Sequence, residues 1–365
     1  YLAPDDYAAE VQALLRRFEP AAEVPPVAPT PAPRTSPRRA RAGKAAAAVR
    51  TALAPAPAPV SVPPYGLTLG AEVERYARAV LALVQLETFD VIHAHDWMTF
   101  PAALLVAEHT QKPLVVHFHS CELERRGDYA LAEVKKIEQA AIDAATRVLA
   151  VSHRSAATLE GEYALQPAKL RVLHNALTPL PQVPAVPSAE PVVLYTGRLS
   201  LQKGPDLFLE AAARVHARLP EVRFVLAGEG SLYPELTKLA RKLGIEDAVG
   251  FAGFLDGRAL AEAYSGAAAF VMPSRAEPFG IGALEALALG VPTLVSDDAG
   301  VAEVVRSVLR FEPENAGELA DKLVAVLTHP SLAAELARSG LRETRRLRWD
   351  RPARTLAGLY GEVVA

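Results

Sequence analysis

Pro273-Ser274-Arg275-Ala276-Glu277-Pro278-Phe279-Gly280-Ile281-Gly282-Ala283-Leu284-Glu285 is the stretch on which the reading of the fold turns. The apolar run before it, Ala267 to Met272, reads as a buried strand, and Ala283 to Leu289 reads as a helix beyond a turn rich in Pro and Gly. Gly280, Ile281 and Gly282 stand where that helix begins, so its first backbone N–H groups point outward unpaired. Unpaired donors and the helix dipole together attract phosphate. Glu277 precedes this terminus and Glu285 follows inside the helix. Carboxylates accept hydrogen bonds and repel phosphate, so their natural partners are hydroxyl groups. A phosphate site flanked by hydroxyl acceptors suits a ligand that carries a diphosphate between a ribose and a hexose.

Outward from this stretch the strand-then-helix unit repeats. Val192–Thr196, Arg223–Ala227, Val249–Ala252, Ala268–Met272 and Thr293–Ser296 read as strands, each followed by a helical segment. Upstream, Asp90–Ala94, Leu114–His117 and Arg147–Val151 read as strands, with helical spacing over Gly70–Leu86, Pro101–Ala107 and Leu131–Ala145. Such alternation indicates parallel, doubly wound sheets, here in two α/β domains. The first domain is assigned to residues 65–180 and the second to 192–345. Between them, 181–191 belongs to a run marked as a linker by Pro179, Pro181, Pro184, Pro187 and Pro191. The last segment, 346–365, holds a helix with Leu356, Leu359, Tyr360 and Val363 on one face. Residues 20–64 carry twelve of the thirty prolines and no acid falls between Glu23 and Glu72, so 1–64 reads as a solvated, extended segment. A tether for an acidic partner such as RNA or a membrane surface is the alternative for that segment.

Three further clusters carry chemistry. Thr196-Gly197-Arg198-Leu199-Ser200-Leu201-Gln202-Lys203-Gly204 follows a strand; Arg198 can fork across two phosphate oxygens and Lys203 adds a compact charge. Alone, this is as easily a surface loop with two ordinary cations. His93-Ala94-His95-Asp96-Trp97 closes a strand of the first domain, and ligands of open parallel sheets gather at such carboxyl ends. His93, His95 and Asp96 also permit a metal reading, but on a strand only His93 and His95 share one face, and a third ligand is not evident. His117-Phe118-His119-Ser120-Cys121-Glu122-Leu123-Glu124-Arg125 follows the next strand. Gly228-Glu229-Gly230 lacks the third glycine and the distant acid of a dinucleotide fingerprint, which argues against NAD. Cys121 reads as a small buried residue, with no base beside it in the sequence.

Glu277 and Glu285, with seven residues between them, resemble the paired-glutamate signature of family 4 retaining glycosyltransferases, and of their glycogen- and starch-synthase-like members in particular. The other clusters match in the right order, from about Tyr65 to the C-terminus. The resemblance implies the GT-B fold, two Rossmann-like domains facing a cleft, with the C-terminal helix crossing back to the first. It implies that Arg198, Lys203 and the N–H groups at Gly280, Ile281 and Gly282 hold the donor diphosphate, with Glu285 on the ribose. It makes His119, Asp96 and Glu277 the catalytic set, His119 against the donor hexose, and His95 a sugar or acceptor contact. Ser296–Glu303 resembles a Gly-Gly-x-x-Glu loop, in which Glu303 is expected to be structural.

The implied reaction is same-face transfer of a hexose, glucose by expectation, from a nucleoside-diphosphate sugar to a saccharide or glucan. No Asp-x-Asp element follows a strand, so neither a metal nor any other cofactor is expected. Members of this family begin with a strand and a glycine-rich loop, and nothing before His93 resembles them. The first domain is therefore expected to be truncated, and a remnant that binds nucleotide sugar without turnover is an alternative. Another GT-B enzyme, a sugar-nucleotide epimerase or an α-glucan phosphorylase, is a further one, although no lysine suited to pyridoxal phosphate stands out.

Composition bounds these readings. The chain has 365 residues, half of them hydrophobic, enough for two cores. A formal net charge of −3 argues against nucleic acid as a partner of the folded part. One cysteine permits no internal disulfide, and no long apolar run or signal peptide is visible, so a cytoplasmic, soluble protein of undetermined oligomeric state is expected.

Overall fold

The computed structural model describes residues 69–181, 183–184 and 190–365. The Pro/Ala-rich segment 1–64 and part of the linker lie outside the described residues. The first domain comprises α1 (Leu69–Val84), β1 (Ile92–His95), α2 (Phe100–Thr110), β2 (Leu114–Phe118), α3 (Glu122–Arg126), α4 (Ala132–Ala144), β3 (Arg147–Ala150), α5 (His153–Glu162) and β4 (Leu170–Val172). The second comprises β5 (Val192–Thr196), α6 (Pro205–His216), β6 (Arg223–Ala227), α7 (Tyr233–Lys242), β7 (Val249–Gly253), α8 (Gly257–Ser265) and β8 (Ala269–Met272). It continues through α9 (Ile281–Ala288), β9 (Thr293–Ser296), β10 (Val308–Phe311), α10 (Ala316–Thr328), α11 (Pro330–Thr344) and α12 (Asp350–Val364).

Both sheets are parallel among the described strands. The first runs β1-β2-β3-β4 and the second β10-β9-β8-β5-β6-β7. Continuous apolar runs such as Val192–Tyr195 and Ala269–Met272 are buried throughout, as helices on both faces of a parallel sheet require. Phe208, Phe224 and Phe311 are sealed in the second domain's core and Phe100 and Phe118 in the first, each worth about 1.5–3 kcal/mol of burial. The second sheet reverses its order between β5 and β8, and a crevice opens beyond the strand ends at such a switch point. The loops 197–204 and 273–280 leave β5 and β8 there.

The C-terminal segment ties back to the first domain at two places. Leu359 of α12 packs on Val115 and Leu149 of the first sheet, with Leu356, Tyr360 and Val363 beside it. Leu177 donates its N–H to the Leu347 carbonyl (2.9 Å), and Trp349 Nε1 donates to Thr178 Oγ1 (3.0 Å).

Candidate functional site

The second-domain half of the site is a set of loops pressed together backbone to backbone. A Cβ on Gly204 would lie 2.1 Å from the Pro273 carbonyl oxygen, and one on Gly228 would lie 1.9 Å from that of Gly197. Only glycine permits such approaches. The loops are then stapled: Arg275 donates its N–H to the Gln202 carbonyl (2.8 Å), and Gln202 Nε2 donates to the Ala276 carbonyl (3.1 Å). The Arg275 guanidinium forks onto Asp206 (2.8 and 2.7 Å) and also meets Glu314. Those bonds to Asp206 hold its pKa above the ordinary arginine value. Sequence reasoning missed Arg275, although it stands inside the quoted stretch as a bulky cation among small residues.

α9 begins at Ile281, with Gly280 before it at φ 109° and no side chain capping the terminus. The N–H groups of Ile281 and Gly282 thus face outward from an uncapped, positively polarised end. Gly282 lies against Thr196 Oγ1 and Tyr264 Oη, which places the first turn of α9 beside the end of β5. Lys203 Nζ donates to Glu277 Oε2 (2.8 Å), and Ser274 Oγ donates to the same oxygen (2.9 Å). Arg198 is exposed, and its guanidinium forms no ion pair among the described residues. Its carbonyl accepts from Tyr195 Oη (2.9 Å). Glu285 accepts from Tyr264 Oη (3.2 Å), which also meets Thr196 Oγ1 (2.8 Å). Burial pushes the Glu285 carboxyl above its ordinary value, and the Tyr264 bond offsets part of that.

The first-domain half lies at the carboxyl ends of β1 and β2. Register pairs His95 with His117, so their same-face side chains are neighbours across the strands. The rings of His93, His95, His117 and His119 form a stack, with centroids 4.3–5.4 Å apart. His95 Nδ1 lies 2.9 Å from His119 Nε2, and His93 Nδ1 lies 2.6 Å from Tyr360 Oη. Burial, with the other imidazoles adding to it, pushes His117 down to about 2 and His93 to about 4. The third imidazole that spacing along β1 did not reveal is thus His117, supplied by the adjacent strand. Asp96 is not part of this group, because its Oδ1 is engaged by backbone N–H groups.

Asp96 takes φ 60°, and its Oδ1 accepts from the N–H groups of His119 (2.7 Å) and Ser120 (3.3 Å). It fixes the loop that carries His119. From the other side Arg125 donates to the Ser120 carbonyl (2.6 Å) and pairs with the fully buried Glu138 (2.7 Å). Cys121 is buried and starts α3, donating its N–H to Glu124 (2.8 Å).

Glu303 bridges the domains. Its carboxylate accepts from the N–H groups of His153 (2.8 Å) and Arg154 (2.9 Å) at the start of α5, and contacts His174 Nε2 (2.8 Å). Arg154 also pairs with Asp298 (2.5 Å). Burial pushes the Glu303 carboxyl up, but the bonds from His153, His174 and Arg154 outweigh it and hold the group below its ordinary value.

The model described as "Glycosyl transferases group 1" matches residues 179–342, and that described as "Glycosyltransferase Family 4" matches 14–179, well upstream of Tyr65. A D-inositol 3-phosphate glycosyltransferase of Kribbella flavida is 30% identical over 336 residues, covering 82% of this chain and 79% of that protein. Among solved structures, a sucrose-phosphate synthase from Thermosynechococcus elongatus superposes with TM-score 0.72 at 23% identity, covering 84% and 81% of the two chains. Anabaena Alr3699/HepE in complex with UDP and glucose gives 0.66 at 20% identity, covering 79% and 82%. Among the described residues no helix is long and apolar enough to cross a membrane.

Proposed function

The chain belongs to the family 4 glycosyltransferases of GT-B fold, and from that premise we propose that it transfers a hexose from a nucleoside-diphosphate sugar to a saccharide hydroxyl with retention of configuration. The observation that carries this reading is the contact of Lys203 with Glu277 beside an uncapped helix end. A donor lying across that pair puts diphosphate on the cation and hexose hydroxyls on the carboxylate. Arg198 and the Ile281 and Gly282 N–H groups complete the phosphate grip, and Glu285 takes the ribose.

The bond between the anomeric carbon and the phosphate oxygen breaks, and an oxocarbenium-like sugar forms. The departing oxygen takes the proton of the acceptor hydroxyl, which attacks the same face. Protein cations stabilise the charge that develops on the leaving diphosphate, so this chemistry calls for no metal ion. His119 lies against the hexose, its carbonyl beside the reacting carbon, and Asp96 acts through it as a positioning residue, holding its backbone. His95, paired with the His119 ring, lies on the acceptor side of the hexose.

Glucose and a glucan acceptor are favoured by the likeness of the His93–Trp97 segment to glycogen-synthase-like enzymes. A phosphorylated cyclitol is the second reading, favoured by the 30% identity to a D-inositol 3-phosphate glycosyltransferase. The test is a panel of ADP-, UDP- and GDP-sugars, with glucose and N-acetylglucosamine, offered with glycogen primer or inositol 3-phosphate. Binding and transfer are both measured, and the anomer of the product is read by NMR. The expected result is one preferred nucleotide and an α-linked product from an α-linked donor. An inverted product ends the retaining mechanism, and failure of every nucleotide to bind ends the donor site. Binding without transfer identifies the non-catalytic remnant.

A further inference from the structure

We propose that His93, His95 and His117 form a binding site for a transition-metal ion of the zinc or nickel class, distinct from the diphosphate grip. One ring nitrogen from each lies within 4.8 Å of the others. Zinc bonds to imidazole at about 2.0–2.1 Å, which sets tetrahedral nitrogens about 3.3 Å apart, so ring movements of ~1 Å close the site. Among the described residues, six buried side-chain nitrogen or oxygen atoms have no hydrogen-bond partner, and three are here: His93 Nε2 and both nitrogens of His117. His117 is only 5% exposed. A neutral imidazole always carries one N–H and one lone pair. Burying both without partners is costly unless something occupies the space they face.

The surroundings already orient the ligands. Tyr360 holds His93 Nδ1 from α12, which leaves Nε2 to face the cluster, and His119 holds His95 Nδ1. Outer partners of this kind fix the tautomer and ring direction of metal-bound histidines. Three imidazoles suit zinc, nickel or copper over magnesium or calcium, and leave a fourth coordination position for water. His95 is exposed, so the site opens to solvent on that side. The other histidine group, His153 and His174 with Glu303, differs in that its carboxylate is occupied by the hydrogen bonds that join the domains.

The test uses the full chain stripped with chelator and titrated calorimetrically with Zn²⁺ alone, with Co²⁺ absorption reporting tetrahedral nitrogen ligation. The expected result is one bound equivalent, weakened at least tenfold in His93→Gln and His117→Gln and unchanged in His174→Gln. Tyr360→Phe leaves all three ligands in place, and by loss of the outer contact it is expected to weaken binding about 10-fold. Circular dichroism melting confirms that each variant folds. If His117→Gln does not fold, the wild type and Tyr360→Phe decide. Absence of micromolar Zn²⁺ binding to the wild type, with buried water then satisfying the nitrogens, overturns the site. So does binding that persists in both folded histidine variants or vanishes in His174→Gln.

Discussion

Lys203 Nζ and Glu277 Oε2 lie 2.8 Å apart, joining the loop after β5 to the loop after β8 through one ion pair. Both side chains are largely shielded, at 26% and 11% exposure, so neither charge is freely solvated. A ligand that inserts between them must offer an anion to one and donors to the other.

The cations are the first test. Lys203→Ala and Arg198→Ala are each expected to weaken nucleoside-diphosphate binding by about 1.5–3 kcal/mol, the scale of a hydrogen bond to a charged group. Titration calorimetry with UDP and ADP checks this. Unchanged affinity in both variants removes the phosphate assignment.

Glu277→Gln separates the diphosphate from the sugar. The amide keeps the shape and loses the charge, so nucleoside-diphosphate affinity is expected to hold within about threefold while transfer falls about 10²-fold or more, the scale of one lost transition-state contact. Single-turnover rates with a sugar donor give the comparison. A fully active variant returns this carboxylate to a structural role.

Glu303 provides a pH dependence with a defined sign. Its folded-state pKa is held below the ordinary value of 4.5, so its contribution to stability is complete above that value. It is lost as pH falls through the depressed folded value. Glu303→Gln is expected to lower the melting temperature at neutral pH and to narrow the gap to wild type as the solution is acidified below that range. A constant gap across the acid limb would count against the carboxylate.

Two glycines test the backbone argument. Gly228→Ala, at φ 145° and 1.9 Å from a carbonyl oxygen, is expected to cost about 1–3 kcal/mol by overpacking. Gly358→Ala, in the middle of α12 with open space at its Cβ, is expected to gain roughly 0.5–1 kcal/mol. Urea unfolding of both variants is the measurement.

The strands that carry the site, each four or five residues long, were legible because their short runs alternate with helical segments and lead into turn or motif residues. β4 and β10 were not read as strands. Each is three or four residues long at a sheet edge and carries an exposed arginine, Arg171 or Arg310, which breaks the apolar run. The motif residues were legible one by one, but their partners depend on register and on contacts between distant segments. His117 joins His95 only because β1 and β2 pair in that register. The resemblance puts Asp96 in the catalytic set, and its Oδ1 serves the His119 and Ser120 amides, which no spacing along the chain discloses. Glu303 meets α5 across some 150 residues of sequence.

The close approach of Gly204 to Pro273 and of Gly228 to Gly197 bears on redesign of this pocket. Its floor is main chain and offers no side chain to exchange, so altered donor preference has to come from the rim or from the first domain. Libraries aimed at those glycines will return mostly unstable clones, while positions such as Arg198 can be varied without disturbing the scaffold.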